Sequence, residues 1–138
     1  MPGRSFFLYL FHKSLNMEFQ NTNCVLFDDS VWQSLLPLTF TRPVCEIRVG
    51  MVTIREKWEQ TTLSTFSWLT QEYLSEKYPL KHSEINLMIN GSVMPNGDLV
   101  REIGELEPGD VLYDGNTVIA ALGSEIKNFL IPEIIPNG

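Results

Sequence analysis

Four cationic side chains lie close together in a chain that is otherwise acidic. The 138 residues carry a formal net charge of −7, yet four of the ten lysine and arginine residues fall within residues 36–58: Arg42, Arg48, Arg55 and Lys57. A guanidinium group holds two phosphate oxygens at once through its planar fork. The cluster therefore predicts a site for a phosphorylated ligand, with Arg42 and Arg48 as its main candidates.

Arg42 is the stronger of these two candidates because prolines bound its segment. Pro37 and Pro43 each disfavour helix in the residue before them, so we expect residues 37–43 to be extended and stiff. A stiff segment would hold the guanidinium of Arg42 in one place. The alternative role for Arg42 is a surface ion pair, for example with Glu46.

Hydroxyl and carboxylate groups near this segment extend the candidate set. Thr39 and Thr41 could donate hydrogen bonds to phosphate oxygens, although threonines in loops also bond to nearby backbone. Asp28 and Asp29 are candidate ligands for Mg²⁺, because a hard cation prefers carboxylate oxygens. Equally, one of these two acids could cap the helical turn that follows.

Two turn positions complete the candidates for substrate binding. Gly50 allows a tight turn and lets the backbone approach a ligand. Asn90 precedes Gly91 at the end of a predicted strand, where this pair is typical of a turn. Arg55 and Lys57, in contrast, fall inside a predicted helix and fit its solvated face.

Strand and helix patterns alternate over the first hundred residues. Short apolar runs predict strands at residues 24–27, 66–68 and 85–89. The remaining predicted elements are a helix beginning at the capping-box pattern Thr53-x-x-Glu56, a helix from Thr70 to residue 77, a helix capped by Asp98 with apolar residues up to 106, a hairpin of residues 111–113 and 117–121, and a last helix over 125–130. This order favours an α/β sheet, in which ligands lie at the carboxyl ends of the strands.

The composition excludes several classes of protein. Apolar residues make up 43% and charged residues 20% of the chain, as in globular proteins. The negative charge argues against nonspecific binding to nucleic acid or to an anionic membrane, and no apolar run is long enough to span a bilayer. Cys24 and Cys45 lack metal-site spacing and fit buried thiols in a reducing cytoplasm.

The first seventeen residues differ from the rest of the chain. An apolar run at residues 5–11 is followed by Lys13, which is reminiscent of a signal peptide. The run is short and bulky, however, and no small-x-small cleavage motif follows it. We interpret residues 1–17 as an N-terminal extension that is disordered or mis-started, with the folded domain over residues 18–138.

The segment Leu36-Pro37-Leu38-Thr39-Phe40-Thr41-Arg42-Pro43, followed by Gly50 and a helix, resembles the start of the sugar nucleotidylyltransferases. The similarity is greater to a divergent branch found beside bacterial UDP-N-acetylglucosamine pyrophosphorylase / glucosamine-1-phosphate acetyltransferase. Ile89-Asn90-Gly91 and the stretch from Leu106 to Ala120 also resemble that branch. The resemblance covers about residues 22–123.

The resemblance implies a fold, an activity and a set of roles. The implied fold is a Rossmann-like nucleotide-diphospho-sugar transferase sheet with helices on both faces and a small hairpin near the C-terminus. The implied reaction joins a sugar 1-phosphate, such as N-acetylglucosamine 1-phosphate, to a nucleoside triphosphate with release of pyrophosphate and with Mg²⁺ as cofactor. For this reaction the candidate residues are Arg42 and Arg48 as catalytic, Thr39, Thr41, Gly50 and Asn90 as substrate-binding, and Asp28 and Asp29, proposed from their carboxylates, as metal-binding.

Two departures from the family pattern leave other readings open. Asp28-Asp29-Ser30 replaces the glycine-rich loop of the better-known enzymes, and Val44 replaces the lysine after the second proline. Family members commonly continue into a left-handed β-helix acyltransferase domain, whose hexapeptide repeats this chain lacks. The alternatives are a non-catalytic nucleotide-sugar-binding or scaffold domain of a two-domain acyltransferase, and an incomplete chain.

Overall fold

The computed structural model describes residues 19–124; the predicted extension at residues 1–17 and the predicted last helix at 125–130 lie outside them. The strands are β1 (Asn23–Phe27), β2 (Arg48–Val49), β3 (Val52–Thr53), β4 (Phe66–Leu69), β5 (Asn86–Asn90), β6 (Val111–Asp114) and β7 (Thr117–Gly123). The α-helices are α1 (Val31–Ser34), α2 (Ile54–Thr62) and α3 (Gly97–Gly104). No helix among the described residues is long and apolar enough to cross a membrane.

Five strands form the main sheet in the order β4-β1-β5-β7-β6. The central strand β1 pairs in parallel with β4 and β5, whereas β7 pairs antiparallel with β5 and β6. Strands β2 and β3 form a separate two-stranded sheet. The predicted Rossmann-like α/β fold with a hairpin near the C-terminus is confirmed.

The residues of each strand alternate between the two faces of the sheet, as the period of two requires. On one face the side chains pack with α2 and α3 into the largest cluster of buried residues, whose members include Leu26, Leu87 and Ile89 from the strands and Trp58 and Ile103 from the helices. On the other face Val25, Phe27 and Met88 form a smaller cluster with other strand residues. The two longer helices among the described residues therefore cover one face of the sheet, whereas the resemblance implies helices on both faces.

Helix α2 begins where the capping-box pattern predicts. The Thr53 hydroxyl accepts a hydrogen bond from the Glu56 N–H (3.0 Å), and a Glu56 carboxylate oxygen accepts one from the Thr53 N–H (2.8 Å). Ile54 and Trp58, one turn apart, are both buried against the sheet. The helix is thus fixed at its start by local hydrogen bonds and along its length by packing.

The prediction that residues 37–43 are extended is wrong. Consecutive turns form instead, with the amide groups of Leu38, Phe40 and Arg42 each donating to the carbonyl three residues earlier. The restriction imposed by a proline acts on the residue before it. Residues 38–41 do not precede a proline, so they are able to turn.

Two predicted helix boundaries also need correction. The helix expected from Thr70 to residue 77 is a single 3-10 turn at Glu72–Leu74, because the Thr70 hydroxyl donates to Asp28 and does not cap a helix. Helix α3 is capped by Asn96, whose side-chain oxygen accepts from the Leu99 N–H at 2.9 Å, and not by Asp98. Asp98 lies one residue inside the helix.

Candidate functional site

The order of the strands places the candidate site at the ends of β1 and β5. From β1 the chain runs to β4 on one side, and from β4 it crosses to β5 on the other side of β1. In open α/β sheets such a reversal leaves a crevice outside the carboxyl ends of the two strands, and ligands bind there. Asp28 and Asp29 follow β1 directly, and Asn90 ends β5.

Asp28 is turned into the protein. Its side chain is only 3% exposed; one carboxylate oxygen accepts from the Val44 N–H (3.0 Å) and the other from the Thr70 hydroxyl (2.6 Å). Burial raises the pKa of Asp28 to about 7, although these two hydrogen bonds act in the opposite direction. Asp28 therefore connects three segments: the end of β1, the loop after it and the end of β4.

Asp29 has a different position from its neighbour. One of its carboxylate oxygens accepts from the Val31 N–H at the start of α1 (2.9 Å), so Asp29 is the acid that stabilises the following turn. The other oxygen accepts from the Asn90 side-chain amide (2.9 Å). Asp29 is half-buried, and this second bond joins the ends of β1 and β5 across the crevice.

Asn90 is fully buried, and its amide is saturated with hydrogen bonds. Its nitrogen donates to Asp29 and to the Val118 carbonyl (3.0 Å), and its oxygen accepts from the Ser92 N–H (2.9 Å) and hydroxyl (2.7 Å). These bonds use both donors and both lone pairs of the amide. Asn90 thus shapes the crevice by holding the ends of β1, β5 and β7 together.

The loop after α1 lies on the β4 side of β1. Thr39 is fully buried and its hydroxyl donates to the Trp32 carbonyl (2.7 Å), whereas Thr41 is exposed. The Tyr73 hydroxyl, from the segment after β4, donates to the Phe40 carbonyl (2.6 Å). Of the two candidate threonines, only Thr41 therefore has a hydroxyl that is accessible to a ligand.

The two candidate arginines differ in what they contact. The side chain of Arg42 is exposed and makes no ion pair or hydrogen bond with residues 19–124. Arg48 is also exposed and donates to the Met51 carbonyl (2.8 Å) across the turn between β2 and β3. Gly50 has φ +76° in that turn, so it makes the tight turn that the sequence predicts.

Arg55 belongs to the framework of the domain. It pairs with Glu46 and with Glu59 (2.8 Å), and its guanidinium lies over the Trp68 ring at 5.7 Å from the centroid. The Trp68 indole N–H also donates to Glu46 (2.8 Å). Glu46, the alternative partner for Arg42, is therefore engaged by Arg55, which is partly buried and does not lie on a solvated helix face.

A groove of about 890 Å³ adjoins the crevice and extends across β7 towards β6. At the end next to β1 its lining is polar and includes Asp29, Ser30, Asn116 and Thr117, while Phe27, Val118 and Ala121 form apolar wall. Among the described residues that line it there is no lysine, arginine or histidine. Arg42 does not line the groove, so the exposed cation and the groove are separate features.

Of the two candidate metal ligands, Asp29 is the one whose carboxylate is partly accessible. Residues 19–124 contain no group of three acidic, histidine or cysteine side chains that could hold an ion. Both oxygens of Asp28 are engaged inside the protein, whereas the half-buried carboxylate of Asp29 keeps lone pairs beyond its two hydrogen bonds. Mg²⁺ needs few protein ligands when substrate phosphates and water complete its shell.

Several residues near the crevice are missed by reasoning from the sequence. The Thr70 hydroxyl donates to Asp28 over a long distance in sequence (2.6 Å), and the Ser92 hydroxyl donates locally to Asn90 (2.7 Å). Their position two or three residues after predicted strands is the one signal that could have identified them, because strand ends meet at one edge of a parallel sheet.

Comparison with known proteins identifies the family of this chain. A family model of sugar nucleotidyl transferases matches residues 24–132, which include all of β1 except its first residue and every later element up to β7. No curated protein and no solved structure matches the chain. The matched region covers most of the sequence, and the chain belongs to the sugar nucleotidyl transferase family.

Proposed function

We propose that this chain joins a sugar 1-phosphate to a nucleoside triphosphate with release of pyrophosphate. The observation that carries the proposal is the crevice at the ends of β1 and β5, bridged by the Asp29–Asn90 hydrogen bond. It lies where α/β sheets bind their ligands, and the loop that leaves β1 bears the exposed Arg42. Membership of the family supports the same class of reaction.

The chemistry requires alignment and charge neutralisation more than covalent participation by the protein. A phosphate oxygen of the sugar 1-phosphate attacks the α-phosphorus of the triphosphate, the bond to the β-phosphate breaks, and pyrophosphate leaves. A cation placed at the triphosphate stabilises the charge that develops in this step. Arg42 is our candidate for that contact, with Arg48 as a second cation and the Thr41 hydroxyl as a neighbouring donor.

Mg²⁺ is part of this proposal through Asp29. The carboxylate of Asp29 would hold the ion together with phosphate oxygens and water, and the bound ion would neutralise phosphate charge. Asp28 fits this role poorly, because it is only 3% exposed, whereas Asp29 is half-buried and borders the groove. The predicted pair of metal ligands is therefore reduced to one acid in the proposal.

The identity of the substrates is proposed from the family resemblance. We take UTP and N-acetylglucosamine 1-phosphate as first substrates to test, which would place the reaction in the supply of UDP-N-acetylglucosamine for the cell envelope. A left-handed β-helix acyltransferase domain is the partner that the resemblance suggests. A cytoplasmic setting is supported by two buried cysteines that form no disulfide.

The direct experiment is release of pyrophosphate. The protein is incubated with Mg²⁺, UTP and N-acetylglucosamine 1-phosphate, and then with other nucleotides and sugar 1-phosphates. We expect release above a control without protein, and a large decrease in Arg42→Ala. The matched control is Arg101→Ala, because Arg101 is also exposed but pairs with Asp98 on α3, outside the crevice. Equal loss in both variants would remove Arg42 from the site.

A second candidate function, nucleotide-sugar binding without catalysis, is favoured by a specific observation. The polar groups of Asp28, Thr39 and Asn90 all make hydrogen bonds within the protein, which leaves few side chains to act on a substrate. Such a domain would bind UDP-N-acetylglucosamine in a calorimetric titration and release no pyrophosphate with any substrate pair. Release of pyrophosphate by the folded protein would exclude it.

A further inference from the structure

We propose that the groove across β7 binds the uncharged pyranose ring of the sugar substrate, apart from the phosphates. The inference rests on the proposed function, since it assigns one half of that substrate pair to a place in the molecule. The groove volume, about 890 Å³, lies in the range typical of small-molecule sites, roughly 300–1,000 Å³.

The charge of the groove selects against a phosphate group. Its described lining includes the carboxylates of Asp29 and Asp110 and no cationic side chain. Carboxylates repel a phosphate, but they accept hydrogen bonds from hydroxyl groups. An uncharged ligand rich in hydroxyl groups is therefore favoured over the triphosphate in this groove.

The side chains next to the crevice have unused hydrogen-bonding capacity. Ser30, Asn116 and Thr117 are exposed and make no side-chain hydrogen bond with residues 19–124. Together they offer two hydroxyl groups and one amide, each able to donate and to accept. Sugar hydroxyl groups require partners of both kinds, which this end of the groove supplies.

The rest of the wall suits the faces of a sugar ring. Val118, which is partly buried, and the ring of Tyr113, which is 60% exposed, offer apolar and aromatic surface in the groove, whereas the lining residues Phe27 and Ala121 are only 1% and 3% exposed. A pyranose carries its hydroxyl groups at the edge and C–H groups on its faces. Apolar and aromatic surface flanked by a few polar groups is the usual composition of a ligand pocket.

The polar end of the groove is also the end that meets the crevice. Asp29 lines the groove and forms the bridge to Asn90 that spans the ends of β1 and β5. A sugar held at this end lies next to the crevice. The arrangement therefore separates the two recognition tasks: the sugar in the groove, and the phosphates at the crevice and loop.

The test is a titration of the protein with methyl glycosides of glucose, N-acetylglucosamine, galactose and mannose, followed by amide chemical shifts in two-dimensional NMR. We expect at least one glycoside to bind with shifts concentrated at residues 113–118. In the double variant Asn116→Ala/Thr117→Val the dissociation constant should increase about tenfold, the effect of two lost neutral hydrogen bonds. Thr65→Val, a matched change at an exposed threonine outside the groove, should leave it unchanged.

Ser30→Ala provides a second variant at another lining residue, should the double variant fail to fold. Its expected effect is a threefold to tenfold weaker affinity for the same glycoside. Absence of binding by all four glycosides would overturn the proposal, and so would displacement of a bound glycoside by inorganic phosphate. UTP is titrated separately. If the protein binds a glycoside but does not bind UTP, the proposed function alone is refuted. If it binds UTP but none of the glycosides, the assignment of the groove alone is refuted.

Discussion

The two consecutive acids at the end of β1 face opposite environments. On the β4 side, which we call the sealed side, Asp28, Thr39 and Thr70 are joined to the protein by hydrogen bonds. On the β5 side, which we call the open side, Asp29 faces the groove, and Asn116 and Thr117 make no side-chain bond with the described residues.

The difference shows that residues of the same type, adjacent in sequence, have separate tasks. A carboxylate that is fully enclosed has to be satisfied by the protein, so it organises structure. A carboxylate at the edge of a groove keeps lone pairs for a ligand. The enclosed residues Asp28, Thr39 and Thr70 should therefore respond to mutation mainly through stability, and the residues at the groove mainly through binding.

The largest effect on stability is expected at Asp28. Asp28→Ala leaves the Val44 N–H and the Thr70 hydroxyl without their acceptor, and should lower the free energy of unfolding by roughly 3 kcal/mol. Asp29→Ala, the matched change on the open side, should cost about 1 kcal/mol, because the Asn90 amide keeps its bond to the Val118 carbonyl. Urea unfolding measures both. Equal decreases in the free energy of unfolding in the two variants would contradict the distinction between the sealed and the open side.

The same acid gives the sealed side a dependence on pH. Asp28 releases its proton near pH 3.8 in the unfolded chain and near pH 7 when folded, so the folded state binds more protons between these values. The free energy of unfolding should therefore fall as pH rises from about 4 to about 7, with a slope approaching about 1.4 kcal/mol per pH unit from this group. In Asp28→Asn this contribution should vanish; an unchanged slope would contradict the assignment.

Gly91 marks the place where the two sides meet. A Cβ at this position would lie 3.2 Å from the Phe27 carbonyl oxygen and 3.2 Å from the Cys45 Cβ, so these neighbours would have to shift. We expect Gly91→Ala to cost about 2 kcal/mol. Gly104→Ala is the control, since a Cβ there meets no atom within 4 Å and alanine favours helix. An unchanged free energy of unfolding in Gly91→Ala would contradict the close contact at this position.

The smallest expected effect compares two arginines of the cationic segment. Arg55→Ala removes the pairs with Glu46 and Glu59 and the contact with Trp68, and should lower the free energy of unfolding by about 1 kcal/mol, a modest value because the side chain is 22% exposed. Arg42→Ala should leave it unchanged. Thermal unfolding of the two variants at the same pH measures this difference. A larger loss of stability in Arg42→Ala than in Arg55→Ala would contradict the roles given to these residues.

Much of the fold follows from local pattern. The strand at Cys24–Phe27 and the capped start of α2 at Thr53 depend on alternation and on a capping box, which act within a few residues. The turns at residues 37–43 could not be predicted, because they are held by the Tyr73 hydroxyl and by the Trp32 carbonyl. Contacts of this kind exist only after the chain has folded.

The candidate site is predicted from sequence in its location but not in its details. The loop after β1 and the end of β5 are expected to meet, and the Asp29–Asn90 bond joins them. Asp28 faces the interior and Asp29 faces the groove. Two adjacent identical residues do not show, from sequence alone, which of them takes which orientation. The hairpin of β6 and β7 is predicted, but the groove also depends on the antiparallel pairing of β7 with β5, which sequence spacing does not reveal.

The central claim is that a nucleoside triphosphate binds at the crevice and contacts Arg42. Calorimetric titration of UTP with Mg²⁺ into wild type, Arg42→Ala and Arg101→Ala tests it most directly. We predict that Arg42→Ala weakens binding at least tenfold while Arg101→Ala matches wild type, with the same unfolding midpoint in all three proteins. Identical affinities in the three proteins, or no heat of binding in wild type, would contradict the claim.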